Sequence, residues 1–317
     1  DAIQVRAHSY GHRGGLLQPD RLLDPEPPKA LPKDLDWSRN GAGATVPLAG
    51  AVKKVVTVPV IAACRLDPML GEMFLQQGKL DFVAMTRRLL ADPELPNKVI
   101  SGRLEHIRPC SGCLYCMDVR LHNTPVRCRV NAPLGRETQK IQPAEKKKRV
   151  IIVGGGPAGM EAARMAASRG HEVVLYEKEG KLGGLIPVAS IVKDLEMDSL
   201  LSLIRYYEIQ LAKLGITVKA GKEVSLSAIE EYKPDIVVLA TGGLPDIAKI
   251  PGIDHRIVVS TAELKKKLGI FMKIFGPKTL ERLTKLWMPV GKRVLIIGGA
   301  AQGCQLAEFL AKRGRTV

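Results

Sequence analysis

The 317-residue chain has no run of eighteen apolar residues, so no segment is expected to cross a bilayer as a helix. Aromatic residues make up only 4% of it, too few for the stacking platforms on which single-stranded nucleic acids lie. Acidic residues are in deficit, 32 against 48 basic, for a net charge of +16. The basic residues are spread along the chain rather than striped, so this excess does not point to nucleic acid. It suits anionic small molecules or a plainly solvated surface. Cysteine is sparse as well, at six residues. Four of them crowd into nineteen positions, which excludes a disulfide framework, favours metal or cluster binding, and implies a reducing, cytoplasmic setting. Neither a starting Met nor a signal-peptide pattern precedes Asp1, and the pattern is unfinished at Val317, so both ends read as cut from a longer chain.

What is present begins with 45% hydrophobic residues, enough for real globular cores. Residues 1–108 alternate strand and helix signals. Ala2–Ala7 reads as a strand. The Gly- and Pro-rich stretch from Gly11 to Gly50 is too long for a turn and has the length of a functional loop. Ala51–Val56 reads as the end of a helix, Val58–Ala63 as an apolar strand, Pro68–Gln77 as a helix and Asp81–Met85 as a second buried strand. Apolar strands alternating with helices indicate a parallel α/β sheet. Arg65 and Arg87 follow the two buried strands. In a (β/α)8 barrel the loops after the last two strands commonly form a phosphate site. If these are those strands, Arg65 and the segment Thr86–Arg87 would hold a flavin phosphate, with Arg88 as a substitute and ordinary surface arginines as the alternative. His8 and His12 follow the first strand, where a histidine could protonate or orient a substrate; a loop histidine without a role is the alternative.

The cysteines are spaced Cys110-x2-Cys113-x2-Cys116-x11-Cys128. Thiolates are soft ligands that suit iron–sulfur clusters or zinc. Two consecutive x2 spacings wrap three thiolates around one face of a cuboid cluster, and a distant fourth closes it. Structural zinc sites usually group their ligands as two separated pairs, which this pattern lacks. It also differs from the ferredoxin run, which continues to a Cys-Pro after three residues. A [4Fe–4S] cluster is the expectation and zinc the alternative.

From Arg149 the pattern becomes strand, glycine turn, helix, strand. Val150–Val153, Glu172–Tyr176, Ile216–Ala220 and Asp235–Ala240 read as strands, and Pro157–Arg169 and Met197–Leu214 as helices. Gly154-x-Gly156-Pro157-Ala158-Gly159 links the first strand to the first helix. Gly154 permits the tight turn, Gly156 lets backbone amides approach a pyrophosphate at the helix N-terminus, and Gly159 lets helix and sheet pack closely. Glu177, ending the next strand and followed by Lys178, can accept from ribose hydroxyls and disfavours a 2′-phosphate. Gly183 and Gly184, and then Ala240-Thr241-Gly242 after a strand, offer bare backbone near a flavin-type ligand. A degenerate second turn follows the expected strand Arg293–Ile297, from Gly298 to Gly303, with Ala300 in place of the second glycine. A nicotinamide nucleotide is its expected ligand, a packing turn the alternative. Leu264–Trp287 reads as one basic, apolar helical stretch.

In this order the parts resemble the iron–sulfur branch of the old yellow enzyme family, which includes 2,4-dienoyl-CoA reductase and trimethylamine dehydrogenase. The segments that carry the resemblance are FVAMTRRLLADPEL, RPCSGCLYC with VRCRVNAPLGRE, VIIVGGGPAGMEAARMAASRGHEVVLYEKEGKLGG and VVLATGGLPDIAKIPGID. It implies the C-terminal part of an FMN-bearing barrel over residues 1–108 and a cluster segment over 109–148. The first part of a Rossmann-like FAD domain would cover 149–258, and an insertion with the start of an NAD(P)H domain 259–317. By the same resemblance, Arg65 and Arg87 match FMN-contacting positions, Gly154, Gly156, Gly159 and Glu177 the FAD site, and His12 or His8 the active-site histidine. The family's catalytic tyrosine and first five barrel strands have no counterpart here. The segment Leu264–Val290 is similar to reductases of aromatic acyl-CoA thioesters such as 2-naphthoyl-CoA reductase. The implied reaction is NAD(P)H-dependent reduction of an activated C=C bond in an acyl-CoA thioester or enone. An amine dehydrogenase and a non-catalytic electron-transfer module are the rivals. No nucleic-acid partner is expected, and a homo-oligomer is left open.

Overall fold

The computed structural model describes residues 1–5, 43, 45–139, 141–193, 197–243, 250–260, 263, 264, 271, 275, 277–288 and 290–317. They divide into two compact units, Asp1–Lys140 and Ile141–Val317. His8 and His12 lie outside the described residues.

In the first unit, β1 (Ile3–Val5), β2 (Val60–Ala62) and β3 (Phe82–Val83) form a parallel sheet in that order. Helix α1 (Val46–Lys53) covers it, and Val46, Ala49, Val60, Ala62, Leu66 and Leu80 make its core. The helix expected to end at Val56 stops at Lys53. Helix α2 (Pro68–Gln76) starts where the sequence dictates: Asp67 accepts from the Leu70 amide and Pro68 occupies a position that needs no N–H donor. Helices α3 (Thr86–Ala91) and α4 (Leu95–Ile100) follow β3, and α5 (Tyr115–Leu121) lies inside the cysteine segment.

β2 and β3 are shorter than the expected strands Val58–Ala63 and Asp81–Met85. The Asp81 carboxylate accepts from the Val60 amide at 2.8 Å and pairs with Lys53. The Lys53 ammonium first, and then the Val60 N–H, hold Asp81 below the usual carboxylate range. A depressed carboxylate adds stability above its unfolded pKa and loses it as pH falls through the folded one. Asp81→Asn is therefore expected to be less stable near neutrality, with the gap closing below about pH 4. Urea titrations across that range check it; a constant gap would count against the assignment.

In the second unit, β4 (Arg149–Val153), β5 (Glu172–Glu177), β6 (Thr217–Ala220) and β7 (Ile236–Leu239) form an all-parallel sheet in the order β6-β5-β4-β7. Helix α6 (Pro157–Ser168) packs on β4 and β5, and against α8 (Met197–Lys213). Ile151, Val174 and Tyr176 form a core with Ile229 and Tyr232 of α9 (Leu226–Tyr232). The strand order reverses direction between β4 and β7, and in open α/β sheets such a switch point opens the ligand crevice.

Helix α7 (Ile186–Lys193) shares a second core with α10 (Pro277–Leu283) and α11 (Ala301–Ala311), built on Ile191, Leu280, Met288, Phe309 and Leu310. Two expectations need correction here. The segment Leu264–Trp287 is not one continuous helix, because α10 begins afresh at Pro277 and ends at Leu283. Proline lacks the amide that would continue a preceding helix, yet suits a first turn. Arg293–Ile297 is not a ladder strand: it makes one parallel bridge, Arg293 to Thr316, and leaves Leu295 87% and Ile297 68% exposed.

Candidate functional site

The first glycine turn sits at the switch point. Gly154 has φ +112°, and a Cβ there would lie 2.3 Å from the Ala240 carbonyl oxygen, so β4 and β7 meet in backbone contact. Gly156 N-caps α6 in extended geometry, with φ −75° and ψ 178°. A Cβ on Gly159 would lie 1.8 Å from the Gly154 carbonyl oxygen. With Pro157 first in the helix, the amides of Ala158 and Gly159 open it toward the turn, where a pyrophosphate binds in such folds. Gly184, with φ +57°, backs onto Gly156, whereas Gly183 packs against Ile204 of α8. Gly242 has φ +83° with nothing within 4 Å of where its Cβ would be, which leaves open space beside Ala240 and Thr241. Lys178 is exposed.

Glu177 is buried, and both of its carboxylate oxygens are engaged. Oε2 accepts from the Gly155 amide at 2.6 Å, and Oε1 from the Glu179 amide at 2.8 Å. A carboxylate has about four lone-pair sites, so two remain for ribose hydroxyls. Gly155 escaped the sequence reading. A Cβ there would come within 2.5 Å of Leu182 and 2.9 Å of the Glu177 Cβ, and its signal was the unbroken Gly154-Gly155-Gly156 run. Glu177→Ala is expected to cost about 2–4 kcal/mol by stranding two amides, with Glu177→Gln closer to the parent. Denaturant titration checks it; equal losses in both variants would show that the amides are not the cause.

The second turn repeats the first in backbone detail. Gly298 has φ +116°, and a Cβ on Gly303 would again lie 1.8 Å from the Gly298 carbonyl oxygen. Ala300 N-caps α11 with φ −70° and ψ 176°, matching Gly156. That geometry is open to alanine, so the substituted glycine leaves the turn intact.

In the first unit, Cys64 and Arg65 follow β2 with φ of 79° and 57°, two consecutive non-glycine residues in the left-handed region. Such strain collects at ligand loops. Thr86 opens α3 and is exposed, with half-buried Arg87 next to it. Arg88 serves structure instead: its Nε donates to the Leu66 carbonyl at 3.0 Å, and its guanidinium lies 3.7 Å from Asp67.

The cysteine loop curls through two left-handed residues, Gly112 at φ 64° and Leu114 at φ 55°, before α5 begins at Tyr115. Burial pushes the Cys116 thiol up first, and the neighbouring Cys110 and Cys113 add to it, while the Arg87 charge opposes them. Burial also pushes Cys128 up, again with Cys110 and Cys113 adding. Cys110 and Cys113 thus lie near enough to both Cys116 and Cys128 to disfavour their ionisation. Among the described residues, no three His, Cys, Asp or Glu side chains converge closely enough to hold a single ion. A multi-iron centre gives each thiolate its own iron and spaces the sulfurs apart, whereas zinc draws four ligands onto one ion. Four cysteine thiols with no histidine among them are a soft donor set of the kind that binds an iron–sulfur cluster.

Residues 148–317 match the family model described as pyridine nucleotide-disulphide oxidoreductase. The chain belongs to that family. Over residues outside that match as well, it is 39% identical across 278 residues to cinnamate reductase of Clostridium sporogenes, covering 87% of this chain and 38% of that protein. It is 38% identical across 284 residues to N,N-dimethylglycine/sarcosine dehydrogenase of Chromohalobacter salexigens, covering 85% of this chain and 38% of that one. A solved 2-naphthoyl-CoA reductase, in complex with 2-naphthoyl-CoA, superposes with a TM-score of 0.73 at 35% identity, covering 88% of this chain and 39% of that one. These oxidoreductase relatives bear out the resemblance to the iron–sulfur flavoenzyme reductases. The chain spans under two fifths of the length of both curated relatives (38% in each case). No helix among the described residues is long and apolar enough to cross a membrane.

Proposed function

We propose that this chain is part of an NAD(P)H-dependent flavin and iron–sulfur oxidoreductase that reduces an activated C=C bond of an enoyl, dienoyl or aryl thioester or enone. The observation that carries this reading is the loop of Cys110, Cys113, Cys116 and Cys128 in one unit, curled through left-handed Gly112 and Leu114, in a chain whose other unit holds a buried Glu177 under a dinucleotide turn. The first unit is read as the last strands of a barrel, consistent with its parallel β1-β2-β3 sheet.

When bound, FAD, the cluster and FMN would supply the electron transfer from NAD(P)H to the substrate, which side chains cannot provide. The protein's own residues bind and orient. Gly154, Gly156 and Gly159 bring the amides of α6 to the FAD pyrophosphate, and Glu177 takes the ribose hydroxyls. Gly298 and Gly303 form the corresponding turn for the nicotinamide nucleotide. Arg65, with Thr86 and Arg87, neutralises the FMN phosphate. The four thiolates would hold the cluster, three of them half-buried and Cys113 exposed. His12, or His8, is assigned the proton that goes to the substrate α-carbon. A thiol cluster of this kind belongs in a reducing cytoplasm.

A second reading has a specific support: the relative named N,N-dimethylglycine/sarcosine dehydrogenase is nearly as similar, at 38% identity, as the cinnamate reductase. The anaerobic visible spectrum of the full-length enzyme decides between them. Under the first reading, NADH or NADPH bleaches the flavin and an α,β-unsaturated thioester or acid restores it. Bleaching by a methylated amine, with no response to either nicotinamide, would replace the first reading by the second.

A further inference from the structure

The cysteine loop hangs on polar groups to which the proposed chemistry gives no role. Its ligand-bearing segment enters at Arg108, just before Cys110, and leaves at Asn131, just after Cys128. Asn131 is only 5% exposed. Its Nδ2 donates to the Leu90 carbonyl at 2.9 Å, and its Oδ1 accepts from the Arg108 guanidinium at 2.8 Å. Asp92 is 4% exposed and accepts the Arg108 backbone N–H at 2.7 Å, the Lys98 ammonium at 2.6 Å and the Glu94 amide at 3.2 Å. Both flanks of the cysteines are thus bonded to one another and to the end of a single helix. Leu90 lies in the last turn of α3, and Asp92 is its C-cap. The same helix begins with Thr86 and Arg87, and its Arg88 is bonded back to the Leu66 carbonyl beside the Arg65 turn.

Both flanks lack regular structure of their own: Ile107–Leu114 and Thr124–Cys128 carry no helix or strand. Apolar side chains could fill the same space without desolvation, but they would not fix one register. A buried amide satisfied at both ends does fix one, since any slip strands a donor or an acceptor.

We propose that Asn131, acting with Asp92, is a positioning residue that locks both flanks of the cysteine loop onto α3, and so holds the cluster at one set distance from the flavin phosphate site. This rests on the functional reading above, in which the cysteines carry a cluster and Arg87 meets an FMN phosphate.

The test uses the full-length holoenzyme with Asn131→Ala and Asn131→Asp. The second variant is isosteric; it keeps the acceptor toward Arg108 and loses the donor toward Leu90. Three quantities are read: iron release to a ferrous chelator, the rate of electron transfer between cluster and FMN after a reductant pulse, and thermal unfolding. Asn131→Ala is expected to release iron about tenfold faster or more, the size of effect seen when supporting groups around a metal are lost. Asn131→Asp sets a carboxylate against the Leu90 carbonyl, so its unfolding temperature is expected to fall; measured well below that temperature, where the chain is fully folded, it should still slow the transfer between the centres severalfold, which a merely structural role would not do. If Asn131→Ala does not accumulate, Asn131→Asp decides alone. Release and transfer rates within about twofold of the parent in every variant that folds would overturn the clamp. A parent enzyme without iron would overturn the functional reading and the clamp with it, whereas a loaded parent with indifferent variants overturns the clamp only.

Discussion

Gly159→Ala is expected to unfold the second unit or come close to it. The added methyl would sit 1.8 Å from the Gly154 carbonyl oxygen, and relief requires moving either α6 or β4. Neither can yield alone. Gly154 is hydrogen-bonded to Tyr176 at 2.8 Å, and β4 is paired on both sides, with β5 and with β7. Overpacking against adaptable side chains costs about 1–3 kcal/mol, so a clash between two backbones should exceed about 3 kcal/mol. At that size the unfolding temperature falls by about 6 °C or more in a unit of this length. Differential scanning calorimetry of the purified protein reads it directly, and a change of less than about 2 °C would mean that helix and strand separate more readily than the geometry allows. Gly303→Ala meets the same 1.8 Å contact but in a turn with a single bridge behind it, so a smaller loss is expected there.

Cys128→Ser is expected to have the largest effect on the redox centre. Cys128 comes from the far side of α5 and closes the set begun by Cys110, Cys113 and Cys116. Serine is nearly isosteric but offers a hard, weakly acidic oxygen to iron, which prefers thiolate sulfur in such clusters. Supporting groups alone change metal affinity by about 10- to 100-fold, so loss of a ligand should cost at least as much. Iron and acid-labile sulfide per chain should drop severalfold while FAD content holds, because the FAD turn belongs to the other unit. Unchanged iron and sulfide would remove Cys128 from the ligand set.

The parts legible in the sequence were those whose constraint is local. Gly154 and Gly159 announce themselves because each is forced by a backbone contact, Gly154 with the adjoining strand and Gly159 with Gly154 itself, whereas Gly156 is recognised by its place in the motif. The order Cys110, Cys113, Cys116 is legible for the same reason, since the loop that presents them is short. The strand expected at Arg293–Ile297 failed because a ladder is a property of neighbours: an apolar run specifies a face, and only partner strands convert it into pairing. The break at Pro277 could have been read, as proline at a first helical position is a start signal. Asp92, Arg108 and Asn131 could not. Each is an ordinary polar residue in a loop or at a helix end, and their bonds span 16 to 41 positions. No pattern in one sequence marks such a pairing.

The two nucleotide turns share a backbone but not a foundation. Amides along β4 are locked into a sheet with a neighbour on either hand, so hydrogen exchange there should wait for the whole unit to open. Val294 has one such bond, to Thr316, and the segment after it is largely exposed to solvent. One turn is a standing mould, shaped whether or not anything fills it. The other is expected to open more readily, so if it takes the nicotinamide nucleotide as proposed, its amides should show the greater gain in exchange protection on binding.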